Sequence, residues 1–252
     1  MEIRLAREGR HVAIVTIDNP PRLNAMTRQM LADLGRLWDE LEHDDTCRCI
    51  ILTGAGERAF TVGADISGDL SAGPDVARMV NHALLKSDTY GKPIIAAVNG
   101  DSVGGGLELM LATDIRATVP EARFGLPEAK WSIYPFGGST TKLMQQIGYV
   151  HAMDLLLTGR LIDAEAAARL SLVNRVMPRS ALMGWAIETA TTIAANSPSA
   201  VQAIKQQVSG TIADHVLKRE AFDQSLGDKV RASLHFAEGV AAFREKRKPR
   251  YE

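Results

Sequence analysis

From Pro93 to Thr113 the chain spells out a buried strand, a glycine-rich bend and an apolar helix, and that order leaves few folds open. Pro93-Ile-Ile-Ala-Ala-Val98 is a short apolar run of buried-strand type, ended by Asn99-Gly100. Val103-Gly-Gly-Gly-Leu-Glu-Leu-Met-Leu-Ala-Thr113 then opens a helix whose only charged residue, Glu108, falls in the first turn. An ionised carboxylate there is costly unless it is paired or its pKa rises. A pKa raised toward neutrality suits a group that must both take and return a proton.

The bulk properties narrow the setting. With 252 residues, the chain can bury one large core or two modest ones. A net charge of −1 and 23% charged residues argue against a nucleic-acid platform, the only basic block being Lys246-Arg247-Lys248. No apolar run is long enough to span a membrane, and the first residues carry no secretory pattern, so a cytoplasmic protein is expected. Cys47 and Cys49 stand in a C-x-C spacing that forms no relaxed disulfide and has no zinc partners, and read as core thiols.

The first half alternates strands and helices. Strands are expected at 3–7, 12–17, 49–53, 93–98, 115–118 and 123–125. Helices are expected from a cap at Asn24 or Thr27 to about 43, and over 75–90. Such alternation predicts an α/β core with mainly parallel strands. After Pro135 the pattern is helical, with segments at 140–146, 150–157, 163–170 and 181–195. A capping box at Ser199-Ala-Val-Gln202 then opens a further helix, and 213–226 and 235–247 are amphipathic. Residues 1–195 read as a catalytic core and 196–252 as a helical oligomerisation module.

The glycine-rich bend admits three chemistries. A dinucleotide fingerprint fails because Leu107-Glu108-Leu109 follows Gly104-Gly105-Gly106, and a P-loop fails because Gly106-Leu107 stands where Lys-Ser/Thr is required. Gly100-Asp101-Ser102-Val103-Gly104 does match the nucleophile elbow of serine α/β-hydrolases. It would make Ser102 a nucleophile, yet His151, His215 and His235 all fall in or beside helices, and Ser102 reads better as a small turn residue.

Six ordered segments carry a resemblance: Asn19-Pro-Pro-Arg-Leu-Asn-Ala25, Ala59-Phe-Thr-Val-Gly-Ala-Asp-Ile66, Pro93-Ile-Ile-Ala-Ala-Val-Asn-Gly100, Gly104-Gly-Gly-Leu-Glu108, Phe124-Gly-Leu-Pro-Glu128 and Glu245-Lys-Arg-Lys248. Together they resemble the enoyl-CoA hydratase/isomerase (crotonase) superfamily across nearly the whole chain. The resemblance implies a ββα spiral core with a C-terminal helical trimerisation module, assembled as a homotrimer or homohexamer, and an acyl-CoA substrate. It implies an oxyanion hole from the N–H groups of Ala64 and Gly105. Glu108 is implied as the group activating water and Glu128 as the proton donor, with no metal and no redox cofactor. Around them, Val62, Asp65, Ile66, Gly104, Tyr134 and Phe136 would line the substrate site. Arg22 and Lys246 would meet the CoA phosphates, Lys246 across a subunit boundary.

Two positions depart from the family pattern. Phe136 replaces the first glycine after Pro135, and Leu126 stands where hydratases often carry glutamine. Enoyl-CoA isomerisation and a non-catalytic acyl-CoA-binding scaffold are the alternatives to hydration, and the intact glutamate pair favours hydration. Taken singly, Glu108 also reads as a buried ion pair with Arg116 or Arg123, Glu128 as a first-turn acid, and Asp65 as a turn residue.

Overall fold

The computed structural model describes residues 1–65 and 74–251, so Ile66 lies outside the described residues. The chain begins with β1 (Glu2–Glu8), β2 (Val12–Asp18), α1 (Arg28–Glu42), β3 (Cys49–Gly54), β4 (Ala59–Thr61) and α2 (Pro74–Ala83). Next come β5 (Ile94–Val98), β6 (Asp101–Val103), α3 (Gly105–Met110), β7 (Ile115–Thr118) and β8 (Arg123–Gly125). Beyond them lie α4 (Ser139–Ile147), α5 (Tyr149–Thr158), β9 (Ile162–Asp163), α6 (Ala164–Arg169), β10 (Arg175–Val176), α7 (Arg179–Ala195), α8 (Pro198–Arg231) and α9 (Leu234–Glu245).

Among the described residues ten strands form two sheets. The larger has the order β1-β2-β3-β5-β7-β10, parallel throughout except for the β1–β2 hairpin. Every residue of β3 and β5 is buried, which is why both read as unbroken apolar runs rather than alternating ones. The smaller sheet has the order β4-β6-β8-β9, with only β9 antiparallel. Each of its first three strands follows a strand of the large sheet: β4 after β3, β6 after β5, β8 after β7. The expected α/β architecture, two strands and a helix per turn of the spiral, is therefore present.

Helix α1 is set by its sequence. Thr27 Oγ1 accepts from Met30 N at 3.2 Å, a cap worth about 0.5–2 kcal/mol, and Met30, Leu31, Leu34, Leu37, Trp38 and Leu41 form its buried stripe. Helix α7 packs on β3 and β5 through Leu182, Ala186, Ala190 and Ala194. Cys47 and Cys49 are free and buried, and burial pushes the Cys49 thiol up to about 12. Among the described residues no helix is long and apolar enough to cross a membrane.

Three expectations need correction. Helix α2 stops at Ala83 instead of reaching Tyr90. Leu85 adopts φ +48, and Lys86 N donates to Asn81 O while Leu85 N donates to His82 O, a Schellman closure with leucine in the left-handed place. The capping box at Ser199 does not form, because the helix already begins at Pro198, with Ser197 at the cap position and no side-chain cap bond. That helix then runs unbroken for 34 residues over both segments expected to be separate. Its interior glycines, Gly210 and Gly227, each cost about 1 kcal/mol against alanine without ending it.

Candidate active site

The site forms where the small sheet meets α3. β6 and β8 pair in parallel, and Gly104 N donates to Gly125 O at 2.9 Å. This pairing turns the twenty-position separation of Glu108 and Glu128 into a step of one strand. α3 leaves β6 carrying Glu108, and a 3-10 turn (Pro127–Trp131) leaves β8 carrying Glu128. A Cβ placed on Gly104 would come within 3.1 Å of Glu128 Oε1.

The other wall is main chain. Gly63, at φ +86, lies so close to α3 that a Cβ on it would fall 2.7 Å from Gly105 Cα and 2.8 Å from Gly105 N. Met26 bridges this strand end through the flanking groups: Met26 N donates to Gly63 O and Asp65 N to Met26 O, both at 2.8 Å. Ala64's own N–H therefore faces away from Met26. Gly105 is the first residue of α3, so its N–H precedes the helix's internal bonds. Buried Asn24 explains the motif at 19–25: its Nδ2 donates to Ala59 O at 2.7 Å, and its carbonyl accepts from Thr61 Oγ1 at 2.7 Å. Thr61 Oγ1 in turn accepts from Gly63 N at 3.1 Å.

The two carboxyls are treated differently by their surroundings. Burial pushes Glu108 up, but Ser139 opposes it: Ser139 Oγ and Ser139 N donate to Oε1 at 2.8 and 3.2 Å, and Gly137 adds a backbone bond. Gly137 must be glycine here, since a Cβ on it would sit 2.5 Å from Glu108 Oε2. Glu128 has far less help. Its Oε2 is buried without a hydrogen-bond partner, and burial, then the charge of Glu108, pushes it up to about 8. Like charges in one dry site favour one ionised and one neutral carboxyl. Of the two, Glu108 is the one with donors from Ser139 and Gly137 that favour its ionised form against the burial that raises its pKa.

Neither arginine expected as a rival partner reaches Glu108. Arg116 donates to Thr113 Oγ1 and to the carbonyls of Thr113, Leu111 and Leu172, while Arg123 pairs with Asp101 at 2.6 Å. Ser102 is fully buried in β6, and its Oγ has no hydrogen-bond partner, so it has neither the access nor the base that a nucleophile needs. Among the described residues no group of three or more metal-ligating side chains gathers.

The remaining expected site residues spread around this centre. Val62 and Asp65 flank Gly63 and Ala64, and Asp65 accepts from Arg22 at 3.0 Å. Tyr134 donates to Asp223 of α8 at 2.6 Å. Phe136 stacks edgewise on Tyr134 with centroids 5.5 Å apart and lies under the Arg231 guanidinium. Its ring occupies space a Cβ on Gly227 would need, only 2.2 Å away. Within its own chain Lys246, expected to act across a subunit boundary, borders a surface cavity with Trp131, where α9 packs on the Glu128 turn.

Sequence reading missed Ser139, Asp223 and buried Lys86. Lys86 donates to Asp223 at 2.9 Å and lies 3.0 Å from Glu220, tying α8 to the loop after α2, while Tyr134 ties it to the 134–139 turn. Replacing Asp223 by alanine strips Tyr134 of its acceptor and Lys86 of its nearest carboxylate. The expected loss is about 2–4 kcal/mol of stability, read from denaturant unfolding. An unchanged midpoint would show that the tie carries no stability.

Comparison with known proteins accords with this arrangement. The enoyl-CoA hydratase/isomerase family model matches residues 7–252. The chain belongs to the enoyl-CoA hydratase/isomerase family. It is 41% identical to enoyl-CoA hydratase EchA19 of Mycobacterium tuberculosis, over 96% of this chain and 93% of that protein. It is 36% identical to short-chain-enoyl-CoA hydratase of Clostridium acetobutylicum, over 97% and 95% of the two chains. The crystal structure of carnitinyl-CoA hydratase from Mycobacterium avium matches with a TM-score of 0.91 and 31% identity, over 99% of this chain and 98% of that one.

Proposed function

We propose that the protein is an enoyl-CoA hydratase, adding water across the double bond of a 2-enoyl-CoA thioester. The observation that carries this reading is the unequal glutamate pair: buried Glu108 with donors on its carboxylate, and half-buried Glu128, its Oε2 enclosed, pushed up to about 8, beside Gly63–Ala64 and Gly105. In the reaction, Glu108 takes a proton from water as its oxygen bonds to Cβ. The π electrons move onto the thioester oxygen, where the N–H groups of Ala64 and Gly105 stabilise the enolate. Donors of this kind are worth roughly 10²–10³ in rate. Glu128 then gives its proton to Cα as the carbonyl re-forms. Water and two carboxyls supply every proton, so the reading calls for no metal and no redox cofactor.

Val62, Asp65, Ile66, Gly104, Tyr134 and Phe136 line the acyl and thioester path in this reading, and Arg22 and Lys246 serve the CoA phosphates. We take the working form to be a cytoplasmic homotrimer or homohexamer. Exposed Tyr149, Val150 and Leu157 on α5 and Ile204, Val208 and Leu217 on α8 give it apolar surface to bury. Incubation with short-, medium- and long-chain 2-enoyl-CoAs tests the reaction: the product should gain the mass of one water. A product of unchanged mass would mean isomerisation, and no turnover of any member would overturn an enzymatic role.

The pair also sets a pH profile. Turnover needs Glu108 ionised and Glu128 protonated, so kcat/KM should be bell-shaped, with its alkaline limb near pH 8 from Glu128. Lys142, buried and brought down to about 7, titrates in the same range, so the limb should be assigned by its loss in Glu128→Gln. Stability follows the same sign. Because the folded state holds the Glu128 proton more tightly than the unfolded state, that contribution is full below about pH 4.5 and is lost as pH rises through about 8. A flat activity profile from pH 6 to 9 would contradict the assignment.

A further inference from the structure

Glu108 sits in a site too dry to hold a carboxylate unaided, so something must fix both its charge and its direction. The donors come from the turn before α4. Ser139 is fully buried, and its hydroxyl and its amide both converge on one oxygen, Oε1, at 2.8 and 3.2 Å. Oε2 lies on the Gly137 side, packed against the place where a Cβ would be.

We propose that Ser139 is the positioning residue of the site, tying down Oε1 of Glu108 and so fixing the direction in which its carboxylate faces the reaction. The proposal rests on the hydratase reading for its kinetic consequence, but the hold on Glu108 itself does not. Two donors on one oxygen restrict rotation of the carboxyl about its last bond, and both favour the ionised form. The hydroxyl is the part a substitution can remove, because the amide belongs to the backbone.

Other charges face Glu108 and have to be kept constant in any test. Glu128 approaches from the 3-10 turn, Lys86 from the loop after α2 and Lys142 from α4. Behind Lys86 stand Asp223 and Glu220 on α8, with Tyr134 bonded to Asp223. None of these is altered by Ser139→Ala, so a change in Glu108 in that variant reports the lost hydroxyl.

Two measurements on the full chain decide the matter. In substrate-free protein labelled at the glutamate carboxyl carbons, Ser139→Ala should move the Glu108 titration to higher pH, because the ionised form loses a donor. In enoyl-CoA hydration the same variant should lose about 10–100-fold in kcat with KM changed less than about threefold. The acid limb should move with the titration, and Ser139→Thr, which keeps a hydroxyl, should recover most of the rate. In Glu108→Gln the Ser139→Ala change should cost little more, since its effect runs through Glu108. An unchanged titration, or an unchanged kcat in a wild type that does hydrate, overturns the proposal. Failure of the wild type to hydrate any enoyl-CoA overturns the hydratase reading instead, and the titration still judges Ser139.

Discussion

Exchange of Glu108 for glutamine lowers kcat for hydration by about 10²–10⁴, and Glu128→Gln does the same, with little change in fold or in acyl-CoA binding. The reason is the division of labour their surroundings impose. Ser139 and Gly137 favour the ionised form of Glu108 against the burial that raises its pKa, and a glutamine in its place has no charge with which to take a proton from water. Glu128 stays protonated through burial and the neighbouring charge, and a glutamine there offers an N–H of far lower acidity. Both variants keep the volume of the side chain, so packing losses should be small. Single-turnover rates with binding measured separately check the claim. Either variant running at the wild-type rate would remove that residue from proton transfer.

Gly63→Ala should be nearly as damaging without touching any reactive side chain. The new methyl would meet Gly105 Cα at 2.7 Å and Gly105 N at 2.8 Å, and φ +86 is strained for alanine. One of the two main-chain segments has to move, and on the proposed reading the N–H groups of Ala64 and Gly105 then no longer converge. A loss of about 10²–10³ in kcat is expected. Gly148→Ala is the control. It carries comparable backbone strain at φ +80 with no atom within 4 Å of the added carbon, so it should lose stability and keep its rate. Equal kinetic loss in both variants would point to strain rather than to the Gly63–Gly105 contact.

Much of this arrangement can be read in the residues, and the limits have physical causes. The buried strands β3 and β5 announce themselves because no polar residue interrupts them, apart from Thr53, whose hydroxyl donates to Ala97 O. Glu108 is conspicuous because a lone charge in an apolar helix has to be explained. The small sheet is only partly legible: β8 is expected at 123–125, but β4 and β6, three residues each, are too short for an alternation to register. Ser139 hides for a different reason. A serine at the start of a helix ordinarily reads as a cap, and only the fold brings Glu108 from thirty-one positions away onto its hydroxyl. Asp223 is equally silent, one more acid on a long polar helix until Lys86 and Tyr134 are seen to end on it.

The touching main chains at Gly63 and Gly105 leave this enzyme with an uneven capacity for change. Short of proline, no codon removes a main-chain N–H, whereas the carboxyls and the aromatic side chain at Phe136 can be exchanged. Directed evolution on this scaffold should therefore find new acyl preferences and altered proton routes among side chains, while the main-chain contact proposed to activate the thioester stays put through every round.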